Sequence, residues 1–150
     1  MGRSNLSEAA IARPPVWFRI LAILALLWEL FGVSTYLMHV GILPSDPGGM
    51  SEVERSLSGS MPIWATAAYA VAVFAGAAGA LGLLLGKAWA RPLLILSLIG
   101  IVVQFTWWLL LSGAMDAIGG SAAIMPIIVI LVGAALVWLA NIGVRRGWLG

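Results

Sequence analysis

The sequence predicts an all-α integral membrane protein, a four-helix bundle with both termini in the cytoplasm. Three observations carry that prediction: an extreme composition, four apolar stretches of spanning length, and a one-sided partition of the charges. Of 150 residues, 62% are apolar and 9% are charged, where soluble domains average about half and a quarter. The mean hydropathy is +1.06. Eight Lys and Arg with six Asp and Glu are too few to solvate a globule of this size, so a compact water-soluble domain is excluded. The absence of cysteine excludes a disulfide framework, thiolate metal sites and cysteine catalysis. A single histidine excludes a cluster of imidazole ligands.

A spanning helix needs about twenty apolar residues to cross a hydrocarbon core of about 30 Å. Four stretches qualify, at about 16–40, 63–85, 93–111 and 124–142. Lipid offers the backbone no hydrogen-bonding partner, so runs this long are read as helices. Pro62 and Pro92 are placed at first helical positions, where a missing N–H costs nothing, and Gly113 and Gly143 are placed just past helix ends. The spans leave no room for a separate soluble domain. Residues 1–15 read as a cytoplasmic tail and 16–150 as one transmembrane domain.

Orientation follows from the charges. Arg3, Arg13 and Arg19 precede or open the first span, Lys87 and Arg91 lie between the second and third, and Arg145 and Arg146 follow the fourth. The other two links hold Arg55 against Asp46, Glu52, Glu54 and Asp116. Seven of the eight bases thus share one side, which the positive-inside rule assigns to the cytoplasm. The first span is too long for a signal-peptide core and contains Glu29, so it is read as retained. The bases are scattered over three short segments and point to anionic headgroups, not nucleic acid.

The outer link, residues 41–61, has a turn-rich patch at Pro44–Gly49 followed by Ser51-Glu-Val-Glu54. That tetrapeptide matches a capping box and predicts a short helix at about 52–57. It reads as a surface connector, with a lid over the bundle mouth as the alternative. Gly119-Gly120-Ser121 breaks the last link. Met61-Pro62-Ile63 and Met125-Pro126-Ile127 hint at an internal duplication, and Pro126 falls near the start of the fourth span. Trp17, Trp89, Trp138 and Trp148 fall near the cytoplasmic interface and Trp64, Trp107 and Trp108 near the outer one, as in an aromatic belt. Trp28 is the exception, at mid-span.

The first span carries an inward stripe. At about 100° per residue, Ala22, Ala25, Glu29, Gly32, Tyr36 and His39 share a face, with Ile20, Leu24, Leu27, Phe31 and Met38 opposite. Glu29 lies about 15 Å from Arg19 along the helix, near the bilayer centre. A charge is costly there, so the carboxyl should face the bundle, find a partner or take up a proton. The third span offers Ser97, Gly100, Gln104 and Trp108 on one face, with Gln104 about 20 Å from Arg91. Glu29 and Gln104 are therefore expected to approach each other across the bundle. Two roles compete for Glu29. It binds a proton or cationic substrate in a site lined by Trp28, Tyr36, His39 and Gln104, or it is hydrogen-bonded glue between two helices, where such bonds contribute about 0.6 to 2 kcal/mol.

The second span presents Ala72, Ala75, Gly76, Gly79, Gly82 and Gly86. With Gly32 and Gly100 these read as packing residues that let helix backbones approach closely, not as a dinucleotide loop, since strand and acidic partner are both missing. Whether they pack within one chain, in a homodimer or in a larger membrane complex is open at this stage. His39 reads as an interfacial hydrogen-bonding residue, not a haem or metal ligand. No nucleophile–base set, P-loop or metal spacing is present, so no enzymatic activity, metal or cofactor is expected.

Trp28-Glu-Leu-Phe-Gly32, Met61-Pro-Ile-Trp-Ala65, Ala72-Val-Phe-Ala-Gly76, Trp89-Ala90, Leu96-Ser97-Leu98, Gln104 and Met125-Pro126 occur in that order. Together they resemble a family of small four-helix bacterial inner-membrane proteins, mostly uncharacterised and in part labelled "sugar transporter". The resemblance covers nearly all of the chain after residue 15. It implies the same topology and location. That family often has an amide where this chain has Glu29, which favours the structural role. The segment Glu29-Leu-Phe-Gly32 is also similar to the first helix of small multidrug-resistance transporters, whose links are shorter. The Pro-Gln pair of small three-helix sugar transporters is missing. The sequence thus predicts a non-enzymatic, transporter-like inner-membrane protein for a small solute of unknown identity. The alternative is an accessory subunit that packs on a larger partner through the small-residue face of the second span.

Overall fold

The computed structural model describes residues 12–45 and 48–150. Arg3 and most of the tail, with Asp46 and Pro47 of the turn-rich patch, lie outside the described residues. In chain order the helices are α1 (Val16–His39), α2 (Glu52–Gly59), α3 (Ile63–Leu84), α4 (Ala90–Thr106), α5 (Ala114–Ile118) and α6 (Ile124–Arg145). A π-helical turn, Trp107–Leu111, continues α4, and a 3-10 turn, Gly119–Ala123, leads into α6. No strand occurs among the described residues. Four segments, built on α1, α3, α4 and α6, are long and apolar enough to cross a membrane. The chain is a multi-pass, all-α membrane protein.

The four spans form a bundle in which α1 packs on α3, α3 on α4 and α4 on α6, and α6 comes back beside α1. Four crossings return the chain to the end where it started. There Trp148 meets Trp17 and Phe18 edge-on, with ring centroids 5.7 and 5.3 Å apart, and the Arg146 guanidinium lies 5.9 Å from the Trp148 ring centre. The last residues pair with the α3–α4 link, Gly150 N donating to Gly86 O at 3.0 Å and Ala88 N to Gly150 O at 3.1 Å. This basic half of the bundle is filled by one apolar cluster that includes Phe18, Ala22, Leu83, Leu94, Leu136 and Leu139. The lipid-facing residues expected on α1, namely Ile20, Leu24, Leu27, Phe31 and Met38, are all exposed.

Small residues set the helix spacing. Ala72, Ala75, Gly76, Gly79 and Gly82 of α3 are buried. A Cβ on Gly79 would come within 2.7 Å of Leu94 and one on Gly82 within 2.7 Å of Trp89. Reciprocally, a Cβ on Gly100 would come within 2.8 Å of Ala68 O and 2.9 Å of Ala72 N. The Ser97 hydroxyl then donates to Ala72 O at 2.6 Å. Gly32 is less crowded, its missing Cβ 3.5 Å from Val73. The small-residue face of the second span is thus covered by α1 and α4 of the same chain. The packing left open in the sequence is therefore made within the chain at these residues.

Several local expectations are corrected. Pro62 is the N-cap of α3, and α4 starts at Ala90, which makes Pro92 its third residue. The first turn of a helix leaves its N–H groups unpaired, so proline is accepted there too. Pro126 is likewise third in α6 and fully buried, so the two Met-Pro-Ile segments occupy different helix positions. Gly143 does not end a helix. It lies inside α6, where a Cβ would come within 2.8 Å of Leu149 and 3.1 Å of Phe18. The turn past α6 is made instead at Gly147, φ 71°, the left-handed region that glycine enters at little cost. Trp107 is buried and does not face lipid. The capping box is present as expected, and its helix runs two residues further, to Gly59. Glu54 N donates to Ser51 Oγ at 3.2 Å and Ser51 N to Glu54 Oε2 at 2.8 Å.

Candidate binding cavity

The acidic half of the bundle is built differently from the basic half. Above the apolar cluster, a cavity of about 290 Å³ lies among all four spans. Its wall is mostly apolar, with Val73, Ile101, Phe105 and Val129 among the lining side chains. The polar groups on it are Glu29 and Thr35 of α1, Tyr69 of α3 and Gln104 of α4. Trp28 and Gly32 also line it.

Glu29 and Gln104 are 7% and 8% exposed. Their residual exposure is to this cavity, which both line. Among the described residues no protein group hydrogen-bonds the carboxyl of Glu29 or the amide of Gln104, and no sealed side-chain N or O lacks a partner. Their polar atoms therefore face the cavity itself. Both line the same cavity, Glu29 from α1 and Gln104 from α4, and no hydrogen bond joins them. Glu29 enters the cavity from directly over Gly76, where a Cβ would overlap Glu29 Oε2.

Interhelical hydrogen bonds are made by other residues. Ser97 ties α4 to α3, and Thr35 Oγ1 and Tyr69 OH, 2.8 Å apart, tie α1 to α3 at the cavity's acidic end. Tyr36 and His39 are placed beside the cavity and do not line it. Tyr36 packs edge-on against Tyr69 and Phe74, with centroids 5.2 and 5.7 Å apart. His39 Nδ1 lies 2.9 Å from Ser58 Oγ, joining α1 to α2, and its ring stands 5.7 Å from Tyr69. The reason is rotational. Thr35 lies roughly a third of a turn from Glu29, so the cavity opens on the Gly32–Thr35 side of α1 while α3 covers the Tyr36 side. The sequence reading missed Thr35 and Tyr69, although polar residues inside a span were the available signal.

The π turn begins three residues after Gln104. Ser112 N donates to Trp107 O, five residues back, at 2.9 Å. One extra residue in the turn swings Trp107 inward and lets Trp108 Nε1 donate to Ala122 O at 3.1 Å. Such insertions occur mostly as single turns and often at functional sites. Outside the spans, the backbone N–H of Ser51, and then its hydroxyl, hold the Glu54 pKa below the ordinary carboxylate value.

No family model, curated protein or solved structure matches this chain.

Proposed function

We propose that this chain is a non-enzymatic, transporter-like protein of a bacterial inner membrane, with its basic end cytoplasmic, that binds a small solute at Glu29 and Gln104. One observation carries the reading. A carboxyl and an amide deep in the spans line one cavity and, among the described residues, have no protein hydrogen-bond partner. Intramembrane polar groups are expensive and usually mark a substrate or ion path. Helix glue would consume its own hydrogen bonds, and in this bundle Ser97 and Thr35 supply them. The asymmetry supports the same reading: the cavity occupies the acidic half while the apolar cluster fills the basic half.

The chain has no native cysteine, so single-cysteine variants report without background. In proteoliposomes, Thr35→Cys and Val129→Cys should react with a small membrane-impermeant thiol reagent added at the acidic face, and Ala22→Cys should not. A carrier would also show slower reaction of the same two positions from the basic face. Protection of both cavity positions from both faces would overturn the reading.

A further inference from the structure

The cavity is open on the side where α1 and α6 face each other. Phe31 of α1 and Met125 of α6 line it, yet they are 59% and 52% exposed at the lipid-facing surface of the spans. They form a rim toward the bilayer. Below them, along the same α1–α6 seam, runs an apolar groove of about 280 Å³ with Leu21, Leu24 and Ala25 on one wall and Val132, Leu136 and Trp138 on the other. Trp28 lines both the groove and the cavity. The two spaces adjoin at that indole. Each is close to the lower end of small-molecule sites, about 300 Å³.

The geometry points to a lipophilic amine as the occupant: a molecule dissolved in the bilayer that passes laterally between α1 and α6, seats its amine at Glu29 and Gln104, and lays its hydrocarbon body along the groove past Trp28. The chemistry of each part argues for this class. The groove supplies hydrophobic side chains alone. Among the described residues the Glu29 carboxyl and the Gln104 amide in the cavity have no protein hydrogen-bond partner; the carboxylate and the amide oxygen accept, and the amide also carries an NH2 donor. An ammonium group is all donors and matches the carboxylate and the amide oxygen, and a charge-assisted bond to a carboxylate is the strongest contact the site can make. A sugar-like solute would leave the groove unused. A neutral lipid chain would leave Glu29 without a donor.

The inference rests on the solute-binding reading above, and the test separates the two. The probe is dodecylamine carrying a diazirine on its chain, photolysed with the full chain in phosphatidylcholine nanodiscs. Cross-links should concentrate on α1 and α6 around Leu21, Leu24 and Val132, and excess dodecylamine should compete where dodecanol does not. Glu29→Gln should lower the labelling about tenfold or more, the loss expected for one charge-assisted bond. Ala135→Phe introduces its ring at an exposed groove position, where folding tolerates it, and should also block labelling while leaving Thr35→Cys reactive. Labelling spread evenly over lipid-facing positions such as Ile99 and Leu110, equal competition by dodecanol, or indifference to Ala135→Phe would overturn the inference. If Thr35→Cys still reacts in that case, solute binding stands and only the amphiphile fails. If it does not react, both fail.

Discussion

The Glu29 carboxyl of α1 rests on the bare Cα of Gly76 in α3, close enough that a Cβ on that glycine would overlap its Oε2 and come within 2.9 Å of Ser97 Oγ. A glycine at this point lets a carboxyl cross the packing seam between two helices and reach the cavity. The same small-residue surface that brings the helices together therefore also positions the polar group.

Gly76→Ala should disturb the site more than the fold. The nearest atoms in its way belong to the far end of the Glu29 side chain, which can swing aside, and Ser97 Oγ at 2.9 Å need shift only slightly, while alanine improves helix propensity by about 1 kcal/mol. The expected outcome is thermal stability near that of the parent with loss of alkylamine labelling. A large fall in thermal stability would contradict this account.

Gly100→Ala should do the reverse. Its Cβ would meet backbone atoms, Ala68 O and Ala72 N, which no rotamer change can relieve. Overpacking of this kind costs about 1 to 3 kcal/mol. Reversible unfolding in detergent, compared with Gly76→Ala, measures the difference.

Glu29→Leu distinguishes binding from glue. Its carboxyl has no protein hydrogen bond to lose among the described residues, so stability should be retained or raised while ligand labelling disappears. Ser97→Ala, which removes the bond to Ala72 O, should cost about 0.6 to 1.7 kcal/mol, the range found for interhelical bonds in membranes. If Glu29→Leu proved the more destabilising of the two, Glu29 would be structural.

Helix α2 should loosen in acid. The Glu54 pKa is held below its ordinary value by Ser51, so the carboxylate stabilises the folded α2. That contribution is present above the unfolded pKa of 4.5 and is lost as pH falls through the lower, folded value. Amide hydrogen exchange of residues 54–59 should accelerate over that window. Glu54→Gln, which keeps an acceptor at the third helical position, should remove the pH dependence.

Much of this architecture was legible in the residues. The apolar runs, the seven-to-one division of basic charge, the α1 lipid face and the Ser51–Glu54 box all rest on local rules of length, period and capping, which neighbours do little to alter. Helix ends were less legible. The first turn tolerates proline at more than one position, so Pro92 and Pro126 did not mark the starts of α4 and α6, and Gly143 proved to be a contact glycine under Leu149.

By itself, then, the sequence determined that the chain is a four-span helical membrane protein with a carboxyl at mid-span, because these follow from burial in lipid and from spacing along a helix. Only the tertiary structure decided what that carboxyl faces. Rotation of α1 against α3 put Thr35 and Tyr69 on the cavity and turned Tyr36 and His39 away from it. The closeness allowed by Gly76 carried Glu29 through the seam. Packing α6 against α4 left an apolar groove between α1 and α6, and spacing along one helix cannot reveal a gap between two.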